Sequence, residues 1–153
     1  MEIRTLLIKT ILIWLALAGA SLWACEPIRS GTEGSVIISQ LVGVYDGDSF
    51  TVSVAGWPDI IGESIPIRIE GVDTPEIRGK CKVEKEIALR ARTFSRDQLT
   101  NAKVIELRNM QRGKYFRILA DVCLDGVSLG RELIRTGLAV EYQGRGQKRD
   151  WCE

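Results

Sequence analysis

The sequence predicts an α+β fold, a five-stranded β-barrel with a long helix after the third strand and a short helix after the fifth. Three observations predict it. Three runs rich in Val and Ile or alternating in polarity occupy residues 36–45, 49–54 and 65–72. Residues 82–101 then change to helical spacing, and two further apolar runs precede a second capped helical stretch. With 153 residues, the chain has room for one domain with a real core and not for two.

Each element has a local reason. Residues 36–45 favour a strand because β-branched side chains pack well on a pleated surface, and Asp46, Gly47 and Asp48 break it. Residues 49–54 alternate, so the pair reads as a hairpin with an acidic tip. A turn containing Pro58 spans 56–62. In the third strand Ile65, Ile67 and Ile69 share one face and Arg68 and Glu70 the other. Over 82–101 the residues Ile87, Ala91, Phe94 and Gln98 form the inward stripe, while Arg90, Arg92 and Arg96 face away. Strands are expected at 104–107 and 118–124, joined by 109–115. Asp125 and Gly126 turn the chain, Ser128 caps the last helix, and Gly137 closes it. Five strands with a helix after the third is the order of an OB-fold barrel, an architecture often used for oligonucleotides.

The N-terminus lies outside that domain. Residues 1–24 combine Arg4 and Lys9, a largely apolar stretch and the small residues Ala18, Gly19, Ala20 and Ala24, the construction of a signal peptide. An uncleaved signal anchor is the alternative. Leu22, Trp23, Ala24 and Cys25 resemble a lipobox, so Cys25 is either lipid-bearing, attaching the chain to a membrane, or an ordinary cysteine past a cleavage site. The expectation is an exported protein, whether periplasmic, secreted or envelope-anchored, with 25–35 as linker, 36–142 as the domain and 143–153 as a tail. Cys123 sits in an apolar run and reads as a buried hydrophobe, while Cys81 and Cys152, in polar surroundings, are the expected disulfide.

Chemistry is bounded by an absence. The chain has no histidine, which excludes Ser-His-Asp triads, Cys-His pairs and histidine-ligated zinc. Carboxylates, arginines, lysines, tyrosines and a hard metal remain. Charge is segregated: 46–76 holds seven acids and one base, and 77–117 twelve bases and four acids. An acidic stretch suits a metal and a basic one a phosphate backbone, although two mutually compensating solvated faces would have the same composition.

The residues that join these threads are Asp46, Gly47 and Asp48, then Arg68, then Asp73, Thr74, Pro75 and Glu76, then Lys114, Tyr115, Phe116 and Arg117. In this order residues 36–142 resemble the staphylococcal nuclease, or thermonuclease, family. The resemblance implies a Ca²⁺-dependent endonuclease acting on DNA, RNA or both, with the 5′ oxygen leaving. It implies Asp48 and Asp73 as metal carboxylates, the Thr74 carbonyl as a further ligand and Asp46 as an outer partner. Glu76 takes the position that activates the attacking water. Arg68 and Arg117 correspond to the pair gripping the scissile phosphate, and Lys114 and Tyr115 to residues holding a neighbouring phosphate. Phe116 departs from the family's usual Gly and Gly113 from its common Asp, and the loop after Glu76 is short. The expected protein is a monomer. A non-catalytic OB module that binds nucleic acid or protein is the alternative.

Overall fold

The structure is a computed structural model and describes residues 24–31, 33–145 and 147–153. The expected first strand is two strands, β1 (Glu33–Ile37) and β2 (Gln40–Asp46), interrupted at Ile38 and Ser39. The break lets one stretch of chain serve two neighbours. β2 pairs antiparallel with β3 (Ser49–Ser53), and β3 with β4 (Ile65–Ile69). β1 pairs antiparallel with β6 (Ile105–Arg112), which pairs with β7 (Ile118–Leu124), and β7 runs parallel to β4. The order is β1-β6-β7-β4-β3-β2, with β8 (Val127–Ser128) on β7. Its two outer strands are thus joined through Ile38 and Ser39.

The alternation read from the sequence determines what is buried. Val52, Ile67, Leu107 and Val122 turn inward and are almost wholly excluded from solvent. Burying each such side chain contributes about 1.5–3 kcal/mol. A four-residue helix α1 (Asp59–Gly62) occupies the Pro58 turn, and β6 runs five residues beyond the expected 104–107 strand, with a register shift between Arg108 and Gln111. Asn109 there adopts a φ of 53° and is fully buried.

The long helix α2 (Lys82–Asn101) has the expected bounds. Its buried stripe is Ala88, Ala91, Ser95 and Leu99, with Ile87 and Phe94 only partly covered. The stripe is small because the helix lies close on the β2–β3 hairpin. A Cβ added at Gly47 would stand 2.7 Å from the Ala91 Cβ. Gly47 is therefore required by that close approach; its φ lies outside the left-handed region, so the tight turn is not the reason. Helix α3 (Leu129–Arg135) is capped by Ser128, whose Oγ accepts from the Arg131 N–H, and Gly137 follows with a φ of 72°. The chain then returns as β9 (Val140–Glu141) against β5 (Val72–Asp73).

Two disulfides close the described chain. Cys81–Cys152 is the pair expected. Cys123 differs from expectation: it is bonded to Cys25 rather than standing free as a buried hydrophobe. Its apolar surroundings do not distinguish a thiol from half of a disulfide, and its partner lies 98 residues away. Residues 25–35 likewise do more than link. Cys25 N donates to the Gly126 carbonyl, the Arg29 N–H to Asn109 Oδ1 and Asn109 Nδ2 to the Pro27 carbonyl, so this segment supplies partners to the buried Asn109. The signal-like residues 1–23 lie outside the described residues. Among those described, no helix is long and apolar enough to cross a membrane.

Candidate active site

Three chain segments meet at one end of β3 and β4. The β2–β3 turn delivers Asp46 and Asp48, β4 delivers Arg68, and β5 with the residues after it delivers Asp73, Thr74, Pro75 and Glu76. The turn is rigidly placed, because the Gly47 carbonyl accepts from Ser95 Oγ at 2.5 Å and the Asp48 carbonyl from the Ile69 N–H at 2.9 Å.

Arg68 is the link between the segments. Its Nη1 donates to Asp48 Oδ1 at 2.8 Å and its Nη2 to Asp73 Oδ1 at 3.1 Å. Both carboxylates are only 2 % exposed. Asp48 also accepts from Ser49 Oγ at 2.8 Å and from the Thr74 N–H at 3.1 Å, which ties the turn to the strand end. Buried carboxylates need such donors, since an uncompensated buried charge is costly.

Asp46 is only partly compensated. Burial, then the charges of Glu76 and Asp48, push its carboxyl above the ordinary range, against a backbone bond from Ile77 and the charge of Arg68. Its Oδ1 is buried without a hydrogen-bond partner, as is Thr74 Oγ1. Glu76 is exposed at the rim. Its N–H and that of Lys80 donate to the two oxygens of Glu84, at 3.4 and 2.7 Å, so this buried helix carboxylate holds the 76–80 loop. Gly79 permits it: a Cβ there would lie 2.3 Å from the Glu84 Cδ.

A further cation reaches the cluster from the tail. Lys148 Nζ lies 2.8 Å from Asp73 Oδ1 and 3.1 Å from Glu76 Oε1. Burial lowers its pKa, but the bonds and charges of Asp73 and Glu76 outweigh that and raise it. The sequence shows Lys148 as one base of the 143–153 tail and Glu84 as one acid of the helix, and assigns neither to the site because their partners lie at distant or unmarked positions. The usable signal is Cys152, four residues after Lys148, since a Cys81–Cys152 bond draws the tail toward the loop after Glu76.

Of the other expected residues, Lys114 and Tyr115 stand apart while Arg117 lies at the head of the neighbouring strand. Arg117 directly precedes β7, whose Ile118 and Leu119 pair with Ile67 and Arg68, so it lies at the strand beside Arg68. Its Nε is buried and has no hydrogen-bond partner. Lys114 and Tyr115 are exposed, and no contact joins them to the carboxylates among the described residues. Tyr115 and Phe116 have φ values of 57° and 59°, in the region where glycine is at ease. This is the position at which Phe116 replaces the usual glycine, and the loop adopts the strained conformation with its side chain outward and Arg112 5.4 Å from its ring centre.

The donor set fits a hard divalent cation. Asp46, Asp48, Asp73 and Glu76 bring four carboxyl groups against the two cations of Arg68 and Lys148, an excess of two acidic groups. Carboxylate and carbonyl oxygens are the ligands such an ion takes. By contrast, Cys81, Glu84 and Cys152 group closely, but both sulfurs are in a disulfide and offer no thiolate.

Comparison with known proteins adds a family. The family described as staphylococcal nuclease homologue matches residues 66–151. A protein of Schizosaccharomyces pombe named "Probable endonuclease" is 29 % identical over 124 residues, covering 66 % of this chain and 54 % of its own length. A thermonuclease of Staphylococcus hyicus is 32 % identical over 101 residues, covering 65 % and 56 %. A "Probable endonuclease" of Penicillium rubens is 27 % identical over 136 residues, covering 71 % and 46 %. The chain spans about half the length of these curated relatives.

Proposed function

Because this chain belongs to the staphylococcal nuclease homologue family, we propose that it is a Ca²⁺-dependent endonuclease hydrolysing phosphodiester bonds of DNA, RNA or both on an OB-type barrel. The observation that carries this is Arg68 joined to two buried carboxylates, Asp48 and Asp73, beside an excess of acidic groups.

Asp48 and Asp73, with the Thr74 carbonyl, would hold the ion. When bound, it supplies Lewis-acid stabilisation of charge on a phosphoryl oxygen. The protein's own groups do the rest. Glu76, exposed beside these carboxylates, would take a proton from water approaching phosphorus. Arg68 and Arg117 offer planar forks to the phosphoryl oxygens on which negative charge develops. The unpartnered Nε of Arg117 supports that role, because a buried donor without an acceptor is costly and a phosphate oxygen would satisfy it. Lys114 and Tyr115, exposed on the loop before Arg117, are free to meet a neighbouring phosphate.

We further read the protein as exported and monomeric. The signal-like start and two disulfides support the compartment, since disulfides persist in oxidising surroundings. The disulfide of Cys25 favours the ordinary-cysteine reading, because a lipid thioether needs that sulfur free.

The test compares the wild type with an Arg68→Ala, Glu76→Ala double variant on single-stranded DNA in Ca²⁺. Cleavage lost in the variant supports the reading. Cleavage retained would refute it, and salt-sensitive binding without cleavage by the wild type would favour a binding module instead.

A further inference from the structure

The C-terminal tail is fixed to the site by independent ties. Cys152 is bonded to Cys81, the N-cap of α2, one residue beyond the 76–80 loop that Glu84 holds. Trp151 is buried, and the Arg149 guanidinium lies 4.7 Å from its ring centre. Three residues before Trp151, Lys148 places its ammonium on Asp73 and Glu76 together, with its side chain 46 % exposed. An ammonium bridging these two oxygens stands where positive charge is wanted. It is also a ligand that cannot diffuse away, because the disulfide keeps it at high effective concentration.

We propose that Lys148 is a residue of this site, a tethered cation that holds Asp73 and Glu76 together and sets the Ca²⁺ concentration at which the site loads, with the Cys81–Cys152 bond as its tether. The proposal rests on the cation-site reading above. Loading requires Lys148 Nζ to leave Asp73, and the released ammonium, still tied by Cys152, stays within reach of the rim where a substrate phosphate would lie. A solvated tail would have no such effect, and charge alone would be mimicked by any nearby base. Arg149, which faces the Trp151 ring, is the control for charge.

The experiment is calorimetric titration of Ca²⁺ into the full chain without substrate, for the wild type, Lys148→Ala, Arg149→Ala and a Cys81→Ser, Cys152→Ser double variant. Lys148→Ala is expected to bind Ca²⁺ up to about 5-fold more tightly than the wild type, the scale of one partly exposed ion pair, and Arg149→Ala to bind it as the wild type does. Releasing the tether with Lys148 in place is expected to tighten binding similarly, and removing Lys148 as well to add little. Equal affinity in Lys148→Ala and Arg149→Ala overturns the proposal and leaves the cation site standing. No Ca²⁺ binding by any variant overturns both. If the cysteine variant does not fold, the Lys148 and Arg149 pair still decides.

Discussion

At the scale of single residues, Arg68 carries two duties that point the same way. It neutralises Asp48 and Asp73, and in the proposed reaction it would present a guanidinium where charge builds up on phosphate. Arg68→Ala is expected to lower the cleavage rate about 10²-fold or more. Arg68→Lys should recover little, because one ammonium cannot span both carboxylates in a planar fork. Asp46 gives a pH prediction. Its carboxyl is raised in the fold, chiefly by burial and then by Glu76 and Asp48, so the folded state holds that proton more tightly than the unfolded chain. Stability of the metal-free protein is therefore lost as pH rises from the ordinary carboxylate range through the raised value. Thermal melts without metal should show Asp46→Asn more stable than the wild type at neutral pH and the difference vanishing in acid. At this scale Asp48, Asp73 and Arg68 were legible because the motif spaces them along strand ends. Lys148 and Glu84 were not, since a basic tail residue and a helical glutamate look solvated until a disulfide and a loop N–H give them partners.

At the scale of elements, the strands were legible from alternation and the long helix from its change of period. Its buried stripe was not, because the sequence shows the period but not how closely Gly47 lets the hairpin approach Ala91. The extension of β6 was hidden by Asn109, a turn-forming residue that here sits at a register shift with its side chain bonded to Asp121 and the Pro27 carbonyl. The N-terminal segment has the same basis. Cys25→Ser with Cys123→Ser should cost about 2–5 kcal/mol in denaturant unfolding, since the bond closes a long loop. Glu84→Ala removes the acceptor of the Glu76 and Lys80 N–H groups, and a hydrogen bond of this kind contributes about 0.5–1.5 kcal/mol net. The expected outcome is a lower kcat through a misplaced Glu76, with Glu84→Gln retaining more activity because its amide oxygen still accepts.

At the scale of the whole molecule, net charge is close to zero while its distribution is uneven. The acidic segment folds onto the candidate site, where Asp46, Asp48, Asp73 and Glu76 outnumber their cations. Much of the basic segment runs along α2, where Lys82 pairs with Glu86 and Arg96 with Asp97 in exposed ion pairs. Five bases on this helix, Lys82, Lys85, Arg90, Arg92 and Arg96, outnumber Glu86 and Asp97 on its outer face, so the helix keeps a positive surface. On the proposed reading, loading the site would relieve this excess of acidic groups, and Ca²⁺ at 100 times its Kd would stabilise the fold by about 2.7 kcal/mol. The central claim is that these carboxylates and Arg68 form one cation-dependent phosphodiesterase site. Its most direct measurement is the initial rate of single-stranded DNA cleavage by the purified protein in Ca²⁺ and again after chelation. The account predicts cutting that falls to background in chelator and returns when Ca²⁺ is restored; cutting at an unchanged rate in chelator would contradict it.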